Sequence, residues 1–404
     1  MTFANCFCGR CRRAAVRSDF PFFRANPDIV YLDSAATSQK PQCVIDSMVD
    51  FMTKRNSNVG RSLYPISSEA SALVAEAREK AARFINAKPE EIIFTEGTTQ
   101  ALNMVAASVC GTDAKGNIVI TRMEHSSNHA PWLEACRRNG IELRLADVDA
   151  DGILRAEAVT ELIDDETIAV SVTGMSNVTG QVTDIGAICS HARRMGALSV
   201  VDAAQLVVHN TVDVRTIGCD FLAFSGHKIY GPMGTGVLFA SGDSIGHLKP
   251  LTVGGGSVER DYSPKTGIHG FEAGTRNIAA IVALGQTFDY LKSNINTIKN
   301  IEDELSGYLF EKLSVIDGIR MITKSPSQIC SFTTGLLGCY DIGAMLGKFG
   351  ICIRTGSCCA YSLMDALGVQ GVCRASVGPY NTKEEIDIFT ERLSWVLRRC
   401  GGFR

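Results

Sequence analysis

From about residue 75 to residue 240, short apolar runs alternate with stretches of helical spacing, and few architectures accommodate that order. Apolar runs fall at 91–95, 117–121, 168–173, 198–202 and 221–224, with another near 235–239. The stretches between them, such as 130–139 and 185–195, repeat apolar residues at the helical period, and each is followed by a glycine, a common helix stop. Strands separated by helices predict an α/β domain built on a mainly parallel sheet. A further helical stretch at 281–313 leads into a smaller region of strand and helix, which closes with an amphipathic helix at 383–399 and reads as a second domain. The segment 254–274, rich in glycine and polar residues, reads as an exposed loop or hairpin.

In an open parallel sheet, ligands bind beyond the carboxyl ends of the strands, so the polar residues that close each apolar run are the candidates. Thr98 and Thr99 follow the first run and open a helix. Their N–H groups and hydroxyls suit a phosphate, and they serve equally well as a plain helix cap. Four more runs close on Glu124-His125, Ser176-Asn177, Asp202-Ala-Ala-Gln205 and Ser225-Gly-His-Lys228. A single His or Asn at such a place reads first as a cap or turn residue. Asp202 differs, because a carboxylate closing the run 198–201 needs a cation or N–H partner to offset its desolvation. Together these ends match the needs of pyridoxal 5'-phosphate. Lys228 supplies the Schiff-base amine and Asp202 the acid that keeps the pyridine nitrogen protonated. His125 supplies a stacking ring, Asn177 and Gln205 supply donors to the ring oxygen, and Thr98, Thr99, Ser225 and His227 form a phosphate cup. No rival phosphate motif competes, since Gly231, Gly234 and Gly236 do not have dinucleotide-binding spacing and no Gly-x-x-x-x-Gly-Lys run occurs.

The C-terminal region adds Arg354-Thr-Gly-Ser-Cys-Cys-Ala360 and Cys373-Arg374. A cysteine in a Gly/Ser turn beside arginines is a candidate reactive thiolate. Arg374 reads either as a fork for a substrate carboxylate or as a surface ion pair. The fifteen cysteines are scattered through apolar segments, which argues for reduced thiols over a disulfide frame. With 45% hydrophobic residues and a formal net charge of -3, the 404-residue chain is globular and has no bulk attraction for nucleic acid or an anionic membrane. No apolar stretch reaches the roughly 18 residues of a membrane span and the N-terminus lacks an apolar secretory core, so the expected location is cytoplasmic. Residues 1–18, where Cys6, Cys8 and Cys11 stand among Arg10, Arg12, Arg13 and Arg17, read as a flexible tail. For want of a fourth ligand no metal site is assigned there. The remaining chain divides into a large domain at 19–280, whose first residues pack on the smaller one, and a small domain at 281–404.

These residues carry a resemblance. The chain resembles the class V aminotransferase family, and within it the Suf-type cysteine desulfurases and selenocysteine lyases, over residues 20–397. The strongest blocks are Tyr31-Leu-Asp-Ser-Ala-Ala-Thr-Ser-Gln-Lys-Pro41, Gly97-Thr-Thr-Gln-Ala-Leu-Asn103, Met123-Glu-His-Ser-Ser-Asn128, Ser176-Asn-Val-Thr-Gly180, Val201-Asp-Ala-Ala-Gln205, Ser225-Gly-His-Lys-Ile-Tyr-Gly-Pro232, Phe271-Glu-Ala-Gly-Thr-Arg-Asn277 and Arg354-Thr-Gly-Ser-Cys-Cys-Ala360. The resemblance implies the fold type I of pyridoxal-phosphate-dependent transferases: a large domain with a mainly parallel seven-stranded sheet and a smaller α+β C-terminal domain. It implies a homodimer in which Thr275 of one subunit reaches the cofactor phosphate of the other. By matched position, Lys228 holds the cofactor, Asp202 its pyridinium, His125 stacks on the ring, and Asn177 and Gln205 lie near its hydroxyl. Arg374, supported by Arg354 and Asn177, binds the substrate carboxylate. The implied activity converts L-cysteine to L-alanine and leaves a persulfide on Cys359, to be passed to a Suf-type acceptor protein for iron–sulfur cluster or other sulfur biosynthesis.

Three departures from the family pattern stand out. Gly60 and Tyr64 occupy places where Suf-type enzymes commonly carry histidines, the stretch 257–270 is short, and Cys358, read as a spectator, precedes the expected nucleophile. Close alternatives keep the cofactor and change the substrate: selenocysteine lyase, cysteine sulfinate desulfinase or another C–S lyase. A plain aminotransferase needs no thiol at Cys359, and a non-catalytic scaffold would lack Lys228 or Asp202.

Overall fold

The computed structural model describes residues 16–60, 64–111 and 114–400. The strands in chain order are β1 (Val30–Tyr31), β2 (Ile92–Thr95), β3 (Asn117–Thr121), β4 (Glu142–Ala146), β5 (Thr167–Thr173), β6 (Leu198–Asp202), β7 (Phe221–Ser225) and β8 (Gly236–Ala240). The C-terminal region adds β9 (Ile319–Met321), β10 (Ile329–Thr334), β11 (Ile351–Cys352), β12 (Arg354–Gly356) and β13 (Val372–Ser376).

Seven of these form one sheet in the order β2-β8-β7-β6-β5-β3-β4. From β7 through β4 every pairing is parallel, and β8 runs antiparallel to both of its neighbours. The sheet is therefore the mainly parallel one expected, with one reversed strand. Its central strands, β6 and β7, are apolar almost throughout because helices cover both faces. The strand β4 went unread in the sequence. It is an edge strand with Glu142 exposed, so only one face carries an apolar signal.

A second, four-stranded antiparallel sheet has the order β12-β13-β10-β9, and β1 pairs in parallel with β11 beside it. The helix Ile278–Ser314, 37 residues long, spans both regions. Near its start Phe288 packs with Phe84 and Phe224 under the large sheet, at centroid distances of 5.0 and 6.4 Å. Farther along, Leu305, Leu309 and Leu313 are fully buried.

The N-terminal segment is fixed from residue 16 onward. Val16 is buried, Arg17 forms an ion pair with Glu385 at 2.8 Å, and the ring of Phe20 sits 4.9 Å from that of Tyr380. Residues 16–18 thus do not belong to a tail, because their apolar and cationic groups find partners on the C-terminal region. Cys6, Cys8, Cys11, Arg10, Arg12 and Arg13 lie outside the described residues. The segment 254–274 forms a short hairpin: Val258 bridges Pro264, and the Glu259 N–H donates to the Ser263 carbonyl at 2.8 Å. No helix among the described residues is long and apolar enough to cross a membrane.

Candidate active site

The carboxyl ends of β2, β3, β5, β6 and β7 open on one cavity of about 380 Å³, and the C-terminal region supplies its far wall. Its lining includes Thr98, Thr99, His125, Asn177, Asp202, Gln205, Ser225, His227, Lys228, Arg354, Cys359 and Arg374. Every candidate is thus brought together except Thr275, which is exposed and outside this lining. Gly60 and Tyr64 are outside it too.

At one end lies the N-terminus of the helix Thr98–Val109. It approaches β7 and β8 so closely that a Cβ on Gly236 would stand 2.6 Å from the Gly97 Cα, and Gly97 itself has φ +153°. Only glycine fits there. The contact lets Ser225 Oγ accept from the Thr98 N–H at 2.9 Å, while Thr99 Oγ1 and Ser127 Oγ lie 2.7 Å apart. Hydroxyls and a helix terminus converge in a form suited to an anion.

The middle of the cavity carries the titrating groups. Lys228 ends a short 3-10 turn (Gly226–Lys228), and burial pulls its amine down to about 8 against the attraction of Asp202. Asp202 is buried at the end of β6; burial raises its carboxyl, Lys228 opposes that, and Oδ1 accepts from the Ala204 N–H at 2.9 Å. His125 caps the helix Ser126–Asn139, its Nδ1 accepting from the Ser127 N–H at 3.1 Å. Burial, then Lys228 and Arg374, hold its ring down at about 4, so it is neutral at pH 7. The cap reading of His125 is thus observed. His227 is held at about 4 by burial, Lys228 and Lys40.

The far wall presents two arginines and two cysteines. Arg374 is buried to 3%, which rules out a surface ion pair. Its Nη1 donates to the Asn177 carbonyl at 2.8 Å and its Nη2 to Asp33 Oδ1 at 3.2 Å, while Arg354 pairs with Asp33 Oδ2 at 3.3 Å. Arg374 Nε is buried without a partner. Cys358 and Cys359 both adopt left-handed backbone, with φ +50° and +58°. Asn177 Nδ2 donates to the Cys358 carbonyl at 2.8 Å, and the Ser126 N–H and hydroxyl each donate to that of Cys359 at 2.7 Å. The loop is bolted down by its carbonyls, leaving Cys359 exposed; the Cys358 thiol is half-buried, and burial raises its proton affinity.

Asp33, Lys40, Ser127 and Tyr340 were missed in the sequence. Asp33 and Ser127 had the available signal: one closes the apolar run just after β1 and the other lies two residues after His125. Gln205 spends its amide on the Ala35 carbonyl at 2.8 Å, which orients its carbonyl oxygen.

The donor set fits pyridoxal 5'-phosphate. An amine and a buried carboxylate stand with a neutral flat ring and an anion cradle. The model of the family described as aminotransferase class-V matches residues 30–389. The cysteine desulfurase of Pectobacterium atrosepticum is 38% identical over 401 residues, 96% of this chain and 98% of the relative. That of Salmonella typhimurium is 39% identical over 403 residues, again 96% and 98%. The Escherichia coli cysteine desulfurase CsdA superposes with a TM-score of 0.89 at 31% identity, covering 98% of this chain and 99% of that one. An apo cysteine desulfurase of Thermococcus onnurineus NA1 gives 0.90 at 32%, covering 95% and 98%. Members of the matched family depend on pyridoxal 5'-phosphate. With sequence, fold and donor set in agreement nearly from end to end, this chain belongs to the class V aminotransferase family.

Proposed function

We propose that the protein is a cysteine desulfurase, which takes sulfur from L-cysteine, leaves L-alanine and carries the sulfur as a persulfide on Cys359. The observation that carries this reading is that Cys359, an exposed thiol on a pinned loop, lines the same cavity as Lys228 and Arg374. An aminotransferase has no use for that thiol.

Bound pyridoxal 5'-phosphate supplies an electron sink for the substrate α-carbon. The rest falls to side chains. Lys228 would hold the cofactor through its amine, and its Nζ, with proton affinity lowered to about 8, would take the substrate α-proton and return it. Asp202 places negative charge against the pyridine nitrogen, and the neutral ring of His125 covers the cofactor face. Thr98, Thr99, Ser225 and His227 receive the phosphate, with Asn177 and Gln205 near the ring hydroxyl. Arg374 would fork the substrate carboxylate, supported by Arg354. Cys359 then attacks the substrate sulfur as thiolate: an S–S bond forms, the C–S bond breaks, and its electrons pass to the carbon skeleton, which is protonated to alanine.

The reading extends to a homodimer in which Thr275 completes the partner's phosphate site, and to an acceptor protein of the Suf type that collects the sulfur in the cytoplasm for iron–sulfur cluster assembly. It also takes 19–280 and 281–404 as the large and small domains.

The test is alanine and sulfide release from L-cysteine with a thiol reductant. Wild type and Cys358→Ser should form both products, whereas Cys359→Ser and Lys228→Ala should not. A protein that binds the cofactor yet releases no alanine from cysteine would overturn the proposal, and turnover of selenocysteine or cysteine sulfinate in its place would redirect it.

A further inference from the structure

The peptide carbonyl of His227, immediately before Lys228, receives four donors from one short N-terminal segment. Thr37 Oγ1 reaches it at 3.2 Å, Ser38 N–H and Ser38 Oγ at 3.0 Å each, and Lys40 Nζ at 3.2 Å. The other contacts reinforce the arrangement. Lys40 Nζ also donates to Thr37 Oγ1 at 3.2 Å and to the Ser38 carbonyl, and Ser38 Oγ accepts from the Tyr230 N–H at 2.8 Å. Two residues on either side of Lys228 are thus tied to the same segment. That segment is itself anchored on the C-terminal region, where Ser34 Oγ meets the Tyr380 hydroxyl at 2.8 Å and the Ala35 N–H donates to Ser376 Oγ at 2.9 Å.

The chemistry of Lys40 is unusual for a structural tie. Its three partners are neutral oxygens, and its ammonium is desolvated enough that burial alone pulls it down to about 8. A buried cation without a carboxylate is costly, and a neutral donor of the same reach would satisfy the carbonyl. The cost is tied to one place, the peptide from which the Lys228 side chain departs.

We propose that Lys40 is a positioning residue for Lys228: through the His227 carbonyl its side chain fixes the peptide that carries Lys228 and, while protonated, places a positive charge behind it. The inference rests on the reading of Lys228 as the lysine that holds the cofactor. Fixing the peptide aims the amine, and the added charge disfavours a second positive charge on the Lys228 nitrogen. Other groups face that nitrogen as well: Asp202 from β6, Arg374 from β13, Cys359 from its loop, and the rings of His125 and His227 beside it. Of these, the ring of His227 feels the Lys40 charge and changes when Lys40 is replaced, whereas Lys40 is not among the charges acting on Asp202 or His125.

The experiment follows the visible absorption of the bound cofactor in wild type, Lys40→Met and Lys40→Arg. Two quantities are read: the rate at which Lys228 captures pyridoxal 5'-phosphate in the apo protein, and the pH midpoint of the absorption of the loaded protein. Lys40→Met should slow capture about tenfold and move the midpoint upward by about half a unit to one unit, while Lys40→Arg, which keeps the charge, should restore the midpoint. A merely structural role would lower the melting temperature and leave both quantities unchanged, and that result would overturn the proposal. If Lys40→Met does not fold, Lys40→Gln, a neutral donor to the same carbonyl, takes its place. Failure of both neutral variants to fold while Lys40→Arg folds would also overturn it, since the ammonium would then serve folding. A wild type that takes up no cofactor would instead sink the reading of Lys228.

Discussion

Asn177 donates its side-chain amide to the Cys358 carbonyl at 2.8 Å, while its own backbone carbonyl accepts from Arg374 Nη1 at 2.8 Å. One buried residue at the mouth of β5 therefore holds both the cysteine loop and the Arg374 guanidinium. Asn177→Ala removes the first tie and keeps the second. Alanine release should lose kcat by roughly ten- to a hundredfold with little change in KM, the cost of a thiol displaced by about an ångström. A rise in KM at unchanged kcat would show that the amide acts on substrate binding instead.

The two arginines of the fork are not equivalent. Both pair with Asp33, but the side chain of Arg374 is 3% exposed and that of Arg354 49%. A charged hydrogen bond contributes more where water is excluded. Arg374→Ala should raise KM for L-cysteine by roughly ten- to a hundredfold, in keeping with the loss of a charge-assisted bond. Arg354→Ala should raise it only a few-fold. Steady-state kinetics of both variants decide the order, and equal losses would mean that Asp33 shares the load evenly.

Much of this site was legible because a parallel sheet projects its strand ends to one edge, so a polar residue closing an apolar run declares itself. Asp202, Lys228, His125 and Asn177 were found in that way, and β6 runs from Leu198 to Asp202 as read. The cysteine loop needed the family resemblance, because nothing local ties Cys359 to a cavity whose other wall is built from residues far away in sequence. Asp33 and Lys40 were missed for a related reason. Their partners, Arg374 and the His227 carbonyl, are supplied by tertiary contact, and a short N-terminal segment carries no periodicity that says what it will touch. The edge strand β4 fell below notice through its half-polar pattern, and the fixed turn at Val16 through its place beside an arginine-rich run.

Acid should weaken the apo protein in part through His125. Burial, reinforced by Lys228 and Arg374, holds its imidazole down at about 4, whereas the unfolded chain takes a proton near the ordinary value of roughly 6.5. Below about 6.5 the unfolded state binds more protons than the folded one, so this contribution is whole above that pH and drains away as pH falls toward 4. His227 behaves alike and remains in every variant compared. His125→Asn apo protein should therefore lose less melting temperature than wild type between about pH 7 and pH 5. Equal losses would remove His125 as a source of the acid sensitivity.

The segment that carries Thr275 hangs on a buried ion pair some distance from the chemistry. Arg78 donates to Glu272 Oε1 and Oε2 at 2.9 and 2.8 Å, and the Phe94 N–H donates to Oε1 at 2.8 Å. Arg276 also bonds to Oε2, so Glu272 serves two arginines and the middle of β2. The side chains of Arg78 and Glu272 are exposed by only 10% and 3%. Removing the carboxylate leaves Arg78 a buried cation and frees the Phe94 N–H of the edge strand β2, which costs more than the pair contributes when intact. Glu272→Ala should lower the unfolding free energy by roughly 3–5 kcal/mol, read from the denaturation midpoint of the apo protein. Exchanging Arg78 and Glu272 together for apolar residues of similar volume should recover part of that loss, because the stranded charge goes with its partner. If the double exchange is as destabilising as Glu272→Ala alone, the cost lies in the Phe94 N–H and Arg276 contacts and not in the uncompensated charge.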